Sequence, residues 1–172
     1  MIQDYIHRIG WFVGLLLVQV LILNNVHMEG FATPFVYIYL MIKFASDTGR
    51  KEQMLWAFAL GLSVDMFADT PGMNASASVL LAFVRPFFLR LFMPRDMSDN
   101  FIPGFRTMGA GSFIKYVAVC TLLHHTALYA IEYFSAAHAG MAVLHMAASS
   151  VLTMACITAI EGIRRTPASK ER

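Results

Sequence analysis

The chain has 172 residues, of which 58% are hydrophobic and only 14% are charged, and its formal net charge is +2. A soluble globular domain carries about 25% charged residues, and a domain of this size leaves much of its surface in water. The composition therefore excludes an ordinary water-soluble domain and predicts an integral membrane protein. The small net charge gives no indication of a nucleic-acid partner.

Six apolar stretches follow one another without a linker that would separate two domains. A transmembrane helix needs about 20 apolar residues, and the second and third stretches reach that length only with flanking residues. The first ends in LILNNVHMEG without a small-x-small cleavage site, so we interpret it as a retained span. The sequence predicts one membrane domain over residues 1–172, an all-α bundle of six transmembrane helices near residues 9–28, 31–46, 54–70, 73–93, 110–134 and 139–162.

The basic residues indicate how the chain is oriented. They precede the first span, follow the last, and flank the junctions of spans 2 and 3 and of spans 4 and 5, whereas the other three loops contain no Lys or Arg. Because Lys and Arg collect on the cytoplasmic side, we expect both termini to be cytoplasmic. The residues concerned are Arg8, Lys43, Arg50, Lys51, Arg90, Arg95, Arg106, Lys115, Arg164, Arg165, Lys170 and Arg172.

One carboxylate, Asp65, interrupts the third span, within the stretch GLSVDMFADTPGMNASASVLLAF at residues 61 to 83. A charged side chain at the centre of a spanning helix costs about 2.5–3.5 kcal/mol, and such residues usually face the protein interior. Ala57 and Gly61 precede Asp65 at intervals of four, so the acid shares a helix face with two small residues that permit close packing. We predict that Asp65 points into the bundle, and that Asp69 or Asn74 caps the start of span 4.

Span 4 carries a matching polar face, on which Asn74 and Ser78 lie four residues apart and Arg85 follows. By helix rise, Asp65 lies ~8 Å and Arg85 ~20 Å from the outer boundary. A direct ion pair between Asp65 and Arg85 is therefore the less favoured of two arrangements.

Two histidines extend this set. His124 on span 5 lies nearer the depth of Arg85, and His145 on span 6 shares the depth of Asp65. We predict an intramembrane polar network, which either holds the helices together or forms a proton or substrate path; the first interpretation is favoured. Its members are Asp65, Asn74, Ser78, Arg85, His124 and His145, with Gln19 as a further candidate.

No stretch matches a catalytic or metal-binding spacing such as H-E-x-x-H, G-x-S-x-G or a glycine-rich phosphate loop. His124 and His125 are adjacent, so they face different sides of a helix and do not form an i, i+4 metal pair. Glu132 and Glu161 lie near opposite membrane boundaries, which argues against a paired-carboxylate site. We expect no catalytic residue, no metal and no cofactor.

The run from Gly61 to Ala75 fits the pattern G-x3-D-x6-G-x2-A and bridges two spans through a short outer loop. Together with the chain length, six spans and cytoplasmic termini, it resembles the pattern of the bacterial rod shape-determining MreD family. Gly61, Asp65, Gly72 and Ala75 correspond to the family motif. The resemblance implies a structural role for these four residues.

The resemblance further implies a non-enzymatic, multi-pass scaffold of the bacterial inner (cytoplasmic) membrane that supports lateral peptidoglycan synthesis and rod cell shape. Besides membrane lipid, the expected partners are an MreC-like bitopic protein, a RodA-type glycosyltransferase, a class B penicillin-binding protein and an MreB-type actin homologue. The family is also similar in fold to the substrate-binding subunits of vitamin transporters. A small-ligand-binding transporter subunit is therefore the alternative, and an intramembrane enzyme is a third and weaker one.

Overall fold

The computed structural model describes residues 2–24, 32–94, 100–132 and 139–164, without the side chains of residues 2, 4, 139 and 142. All regular elements in these ranges are helical: α1 (Ile2–Leu17), α2 (Tyr39–Ile42), α3 (Arg50–Ala68), α4 (Met73–Phe92), α5 (Phe105–Met108), α6 (Ala110–Glu132) and α7 (Ala139–Ile163). Parts of the predicted spans at 25–28, 31 and 133–134 lie outside the described residues, as do Arg95, Arg165, Lys170 and Arg172.

Four of the described helical stretches are long and apolar enough to cross a membrane: Tyr5–Leu23, Met73–Phe92, Ala110–Glu132 and Val143–Ile163. This finding supports the predicted membrane helix bundle. Helix α3 has 19 residues, but its first turn contains Arg50, Lys51 and Glu52, and it is not one of the four. Six crossings and the cytoplasmic placement of the termini stay predictions.

The second predicted span, at 31–46, is not one continuous helix. Residues 32–35 have no helical structure, Val36–Ile38 form a 3₁₀ turn, and α2 adds a single α-helical turn. Pro34 accounts for the irregular start, because a proline disfavours the helical conformation for the residue before it. We call residues 32–44 the interrupted segment. It lies in the core, where Tyr37, Ile38 and Met41 are completely buried.

Helices surround the interrupted segment. Helices α3 and α4 form an antiparallel hairpin, and α4 packs against α6, which in turn packs against α7. Helix α1 continues into a π-helical turn, Val18–Leu23, where Gln19 is completely buried although most of α1 is exposed. Helix α4 runs through Pro86 without ending. The irregular stretch therefore sits inside a helical shell rather than against lipid.

Both ends of the described chain reach one end of the bundle. Tyr5 and Arg8 near the start of α1, Lys43 after α2 and Arg164 after α7 line a single cavity. The turn between α3 and α4 lies at the opposite end of the hairpin. The first and last helices thus begin and finish on the same side of the fold.

Candidate functional site

Asp65 caps the start of α4 from the neighbouring helix. Its Oδ1 accepts hydrogen bonds from the Thr70 hydroxyl at 2.9 Å, the Asn74 backbone N–H at 2.9 Å and the Asn74 side-chain amide at 3.0 Å, and Oδ2 accepts one from the Ala75 backbone N–H at 2.9 Å. The first N–H groups of a helix lack partners within it and carry partial positive charge. These donors take the place of the water that the buried carboxylate has lost.

The cap of α4 is therefore neither Asp69 nor Asn74, contrary to the prediction from the turn sequence. Asp69 adopts the left-handed conformation, with φ 54°, and its backbone N–H binds the Asp65 carbonyl to end α3. Asn74 lies within the first turn of α4 and donates to Asp65. Turn and capping preferences consider only the residues next to the start of a helix. They therefore do not predict a cap from Asp65, which lies in the preceding helix.

The four residues of the sequence motif meet in one joint between α3 and α4. A Cβ atom added to Gly61 would lie 2.6 Å from the Ala75 Cα, so the two backbones are already in contact. Gly72 precedes α4 with φ 81°, a conformation that side chains rarely adopt. We call Gly61, Asp65, Gly72 and Ala75 the α3–α4 latch, because the backbone contact and the carboxylate cap both fix α4 against α3.

A chain of hydrogen bonds leads from the latch to α6 through Tyr37. The Tyr37 hydroxyl donates to Asn74 Oδ1 at 3.0 Å and lies 2.8 Å from His124 Nε2. Since the hydroxyl has one proton, His124 donates its Nε2 proton to the phenol oxygen, which also accepts weakly from Ser78 at 3.4 Å. Each residue thus donates a hydrogen bond to the next one, from His124 to Tyr37, from Tyr37 to Asn74 and from Asn74 to Asp65. Three residues of the predicted network lie in this chain with Asp65: Asn74, Ser78 and His124.

Side chains of α1 and α7 bind the backbone at the start of the interrupted segment. Gln19 accepts from the Val36 N–H and donates to the Pro34 carbonyl, both at 3.0 Å. Ser149 and Thr153 on α7 accept from the backbone N–H groups of residues 33 and 35 at 3.1 and 3.0 Å. Backbone that leaves the helical pattern inside a membrane protein needs such partners, because no lipid group supplies them.

Arg85 binds the other end of the interrupted segment. Its guanidinium donates to the carbonyls of Ile42 and Phe44 and, at 3.0 Å, to the side chain of Gln53. Gln53 lies twelve residues before Asp65 on α3, about 18 Å along the helix axis. Arg85 and Asp65 therefore do not pair, in agreement with the favoured arrangement. Arg85 is 1% exposed, and among the described residues its hydrogen-bond acceptors are neutral.

His125 and His145 serve different parts of the bundle. His125 contacts the Thr121 carbonyl at 2.8 Å and the Thr153 hydroxyl at 3.2 Å, which links α6 to α7. His145 is half-buried on α7 and interacts electrostatically with Glu132 at the end of α6. His145 is thus within electrostatic range of Glu132, and the hydrogen bonds described above that lead to Asp65 do not pass through it.

Sequence reasoning missed a buried ion pair at the other end of the bundle. Lys43 Nζ lies 3.0 Å from Glu161 Oε1, and Glu161 Oε2 accepts from the Tyr39 hydroxyl at 2.7 Å. Lys43 also donates to the Pro103 carbonyl, and a Cβ on Gly104 would lie 2.5 Å from the Glu161 carboxylate. From the sequence, Lys43 indicated only the orientation of the chain in the membrane. Its pairing with Glu161 could not be predicted, because Glu161 lies 118 residues further along the chain.

Within the part of the chain that the structure describes, no group of three or more His, Cys, Asp or Glu residues is placed to hold a metal ion. Comparisons with protein-family models, with curated proteins and with solved structures find no match to this chain.

We predict that Asp65→Asn destabilises the fold. An asparagine offers one acceptor oxygen and places an amide donor against backbone donors, so at least one N–H of α4 loses its partner. Leaving a buried donor unpaired costs about 1–3 kcal/mol. Equilibrium unfolding in detergent micelles, followed by tryptophan fluorescence, measures this loss of unfolding free energy.

Asp69→Asn is the matched control, because it makes the same chemical change four residues away. Asp69 is exposed, and asparagine tolerates the left-handed conformation. This variant should unfold like the wild-type chain. Equal stability of both variants would contradict the proposed role of the Asp65 carboxylate.

Proposed function

We propose that this chain is a non-enzymatic scaffold of the MreD type in the bacterial inner membrane, which supports lateral peptidoglycan synthesis and rod cell shape. The observation that carries the proposal is the α3–α4 latch. Of the four residues on which the family resemblance depends, Gly61 and Asp65 both contact Ala75, and Gly72 supplies the left-handed turn residue before α4.

The chemistry of the latch supports a structural rather than a catalytic role. Asp65 is 3% exposed, and both of its carboxylate oxygens accept hydrogen bonds from within the chain. A general acid or base must reach the proton of a substrate, and this carboxylate faces the backbone of α4 instead. The proposed partners are those that the resemblance implies: an MreC-like bitopic protein, a RodA-type glycosyltransferase, a class B penicillin-binding protein and an MreB-type actin homologue.

The proposal includes six membrane crossings with both termini in the cytoplasm. The four long apolar helices would be joined by α3 and by the interrupted segment, which is shielded from lipid by its neighbours. Two observations support an even number of crossings: α1 begins and α7 finishes beside the same cavity, and basic residues from both line it. Lys and Arg collect on the cytoplasmic side.

We expect cysteine labelling to show the two ends of the bundle on opposite sides of the membrane. In a background without Cys120 and Cys156, a membrane-impermeant maleimide added to spheroplasts should modify Pro71→Cys in the exposed α3–α4 turn. It should modify Ser169→Cys in the C-terminal tail only after the membrane is permeabilised. Labelling of the tail in intact spheroplasts would contradict the topology and the function proposed from it.

We predict that depletion of this chain from the rod-shaped bacterium that encodes it produces round cells, while the level of wall precursors stays normal. The wild-type chain should restore rods and should capture an MreC-like protein with the cell-wall synthases. Asp65→Asn should restore fewer rods and capture less partner, in proportion to its loss of folded protein. Cell width and affinity purification measure these effects.

Asp69→Asn is again the control and should restore rods as the wild-type chain does. Rod-shaped depleted cells, or purification without any wall-synthesis protein, would refute the scaffold. Either result, together with retention of a vitamin-sized molecule through purification, would support the transporter subunit instead.

One observation favours the alternative function, a small-ligand-binding subunit of a transporter. Transporters bind substrates where transmembrane helices are interrupted, and residues 32–44 are such an interruption. Here, however, the backbone of the interrupted segment is bound by Gln19, Arg85, Ser149 and Thr153 of the same chain. The backbone groups that could bind a substrate there already have hydrogen-bond partners within the chain, so we favour the scaffold.

A further inference from the structure

The cavity at the basic end of the bundle has a volume of about 660 Å³ and is not explained by the scaffold role. We call it the end cavity. Its walls come from the start of α1, the region around α2, the first turn of α3, residues 100–102 and the end of α7. The residues used below are Tyr5, His7, Arg8, Trp11, Tyr39, Lys43, Asp47, Glu52 and Arg164, all of which line it.

Among the cations that line the end cavity, Arg164 has the most N–H donors without a hydrogen-bond acceptor in the described part of the chain. Its guanidinium lies 4.3 Å from the centre of the Trp11 ring and makes one hydrogen bond within the described residues, to the Tyr39 hydroxyl at 3.0 Å. A guanidinium has five N–H donors in a planar fork. No described carboxylate lies within 4.0 Å of Arg164. Stacking on Trp11 therefore fixes the orientation of a guanidinium that makes no direct ion pair among these residues.

The other two cations of the end cavity are paired with acids. Arg8 contacts Glu52 at 2.5 Å, and Lys43 contacts Glu161, which lies behind the wall. Asp47 is exposed and adds one opposing charge at the edge. If Glu161 is counted with the lining, the three cations face three carboxylates, so with His7 neutral the group has no net formal charge. Among the described residues, Arg164 is the cation without a direct ion pair, and it is connected to Glu161 only through the Tyr39 hydroxyl that both of them bind.

His7 adds a neutral donor to the end cavity, and it contacts the same Trp11 side chain on which Arg164 stacks. Its Nε2 accepts the indole N–H of Trp11 at 2.9 Å, so the neutral imidazole carries its proton on Nδ1. The Tyr5 hydroxyl also lines the end cavity. A guanidinium fork, an imidazole and a phenol on the lining of one cavity offer donors to the several acceptor oxygens of one phosphate group.

An apolar track on α1 begins at the end cavity. Tyr5 is the first of a series of exposed side chains spaced four residues apart, followed by Ile9, Val13 and Leu17, each about half exposed. On a helix this spacing forms one continuous stripe. The stripe lies on a helix that is apolar enough to cross a membrane, so it faces hydrocarbon. A lipid whose head group lay in the end cavity would have its acyl chain beside this stripe.

We propose that the end cavity binds the phosphate of an anionic phospholipid from the adjacent leaflet. Arg164 contacts the phosphate, His7 and Tyr5 supply further donors, and one acyl chain lies along the exposed stripe of α1. Basic pockets between transmembrane helices recognise anionic head groups in this way. The site requires that the chain be embedded in a membrane, and it does not depend on a role in cell elongation.

Native mass spectrometry of the purified full chain tests this site. The protein is incubated with phosphatidylglycerol or with phosphatidylcholine of the same acyl chains, and the retained lipid is counted. We expect one phosphatidylglycerol per chain and several-fold less phosphatidylcholine. Arg164→Gln should lower the affinity for phosphatidylglycerol about tenfold, the effect of losing one charge-assisted contact, and Arg164→Lys should lower it less.

Arg90→Gln is the matched control, because Arg90 is an exposed arginine that does not line the end cavity, and it should leave retention unchanged. Gel filtration checks that each variant is folded. Equal retention of the two lipids by the wild-type chain overturns the proposal whatever the variants do, as does unchanged retention by Arg164→Gln. Displacement of the lipid by an equal concentration of inorganic phosphate would overturn it too, because it would identify a site for a soluble ligand.

Discussion

A peptide group that is buried without a hydrogen bond costs several kcal/mol, and inside a membrane no solvent replaces the missing partner. Residues 32–44 bring such groups into the centre of this bundle. Polar side chains from the surrounding helices meet them, with Gln19, Ser149 and Thr153 at the start and Arg85 at the end. The positions of α1, α4 and α7 around the core are therefore fixed by directed bonds as well as by packing, which alone specifies helix contacts weakly in lipid.

The α3–α4 latch meets the same requirement at a different place. There the groups without partners are the first N–H groups of α4, and the Asp65 carboxylate accepts from them. Tyr37 connects the two systems, because it belongs to the interrupted segment and binds Asn74 beside the latch. From the sequence, the buried polar residues could have formed a proton or substrate path. In the structure they make hydrogen bonds that hold neighbouring parts of the chain together.

The sequence predicted the residues that a repeating pattern marks. A period of four placed Asp65 with Ala57 and Gly61, and the structure has Asp65 and Ala57 buried and Gly61 against α4. The sequence did not predict the hydrogen bonds to the backbone of the interrupted segment. Hydropathy does not distinguish a continuous apolar helix from one that is interrupted at Pro34. Nothing in the sequence marked Tyr37 as a member of the polar network, since a tyrosine within an apolar run is expected to be an ordinary core residue. Depth alone grouped His145 with Asp65, although depth does not say which way a side chain points.

Amide hydrogen exchange over residues 33–38 reports whether side chains of the surrounding helices hold the backbone of the interrupted segment. Gln19→Leu keeps the approximate size of the side chain and removes the acceptor of the Val36 N–H and the donor to the Pro34 carbonyl. Exchange in this peptide should rise about tenfold, as expected for the loss of about 1.4 kcal/mol of protection, while α4 stays protected and Gln3→Leu changes neither. If the peptide exchanges as slowly in Gln19→Leu as in the wild-type chain, its backbone is not held by these side chains, and the account is wrong.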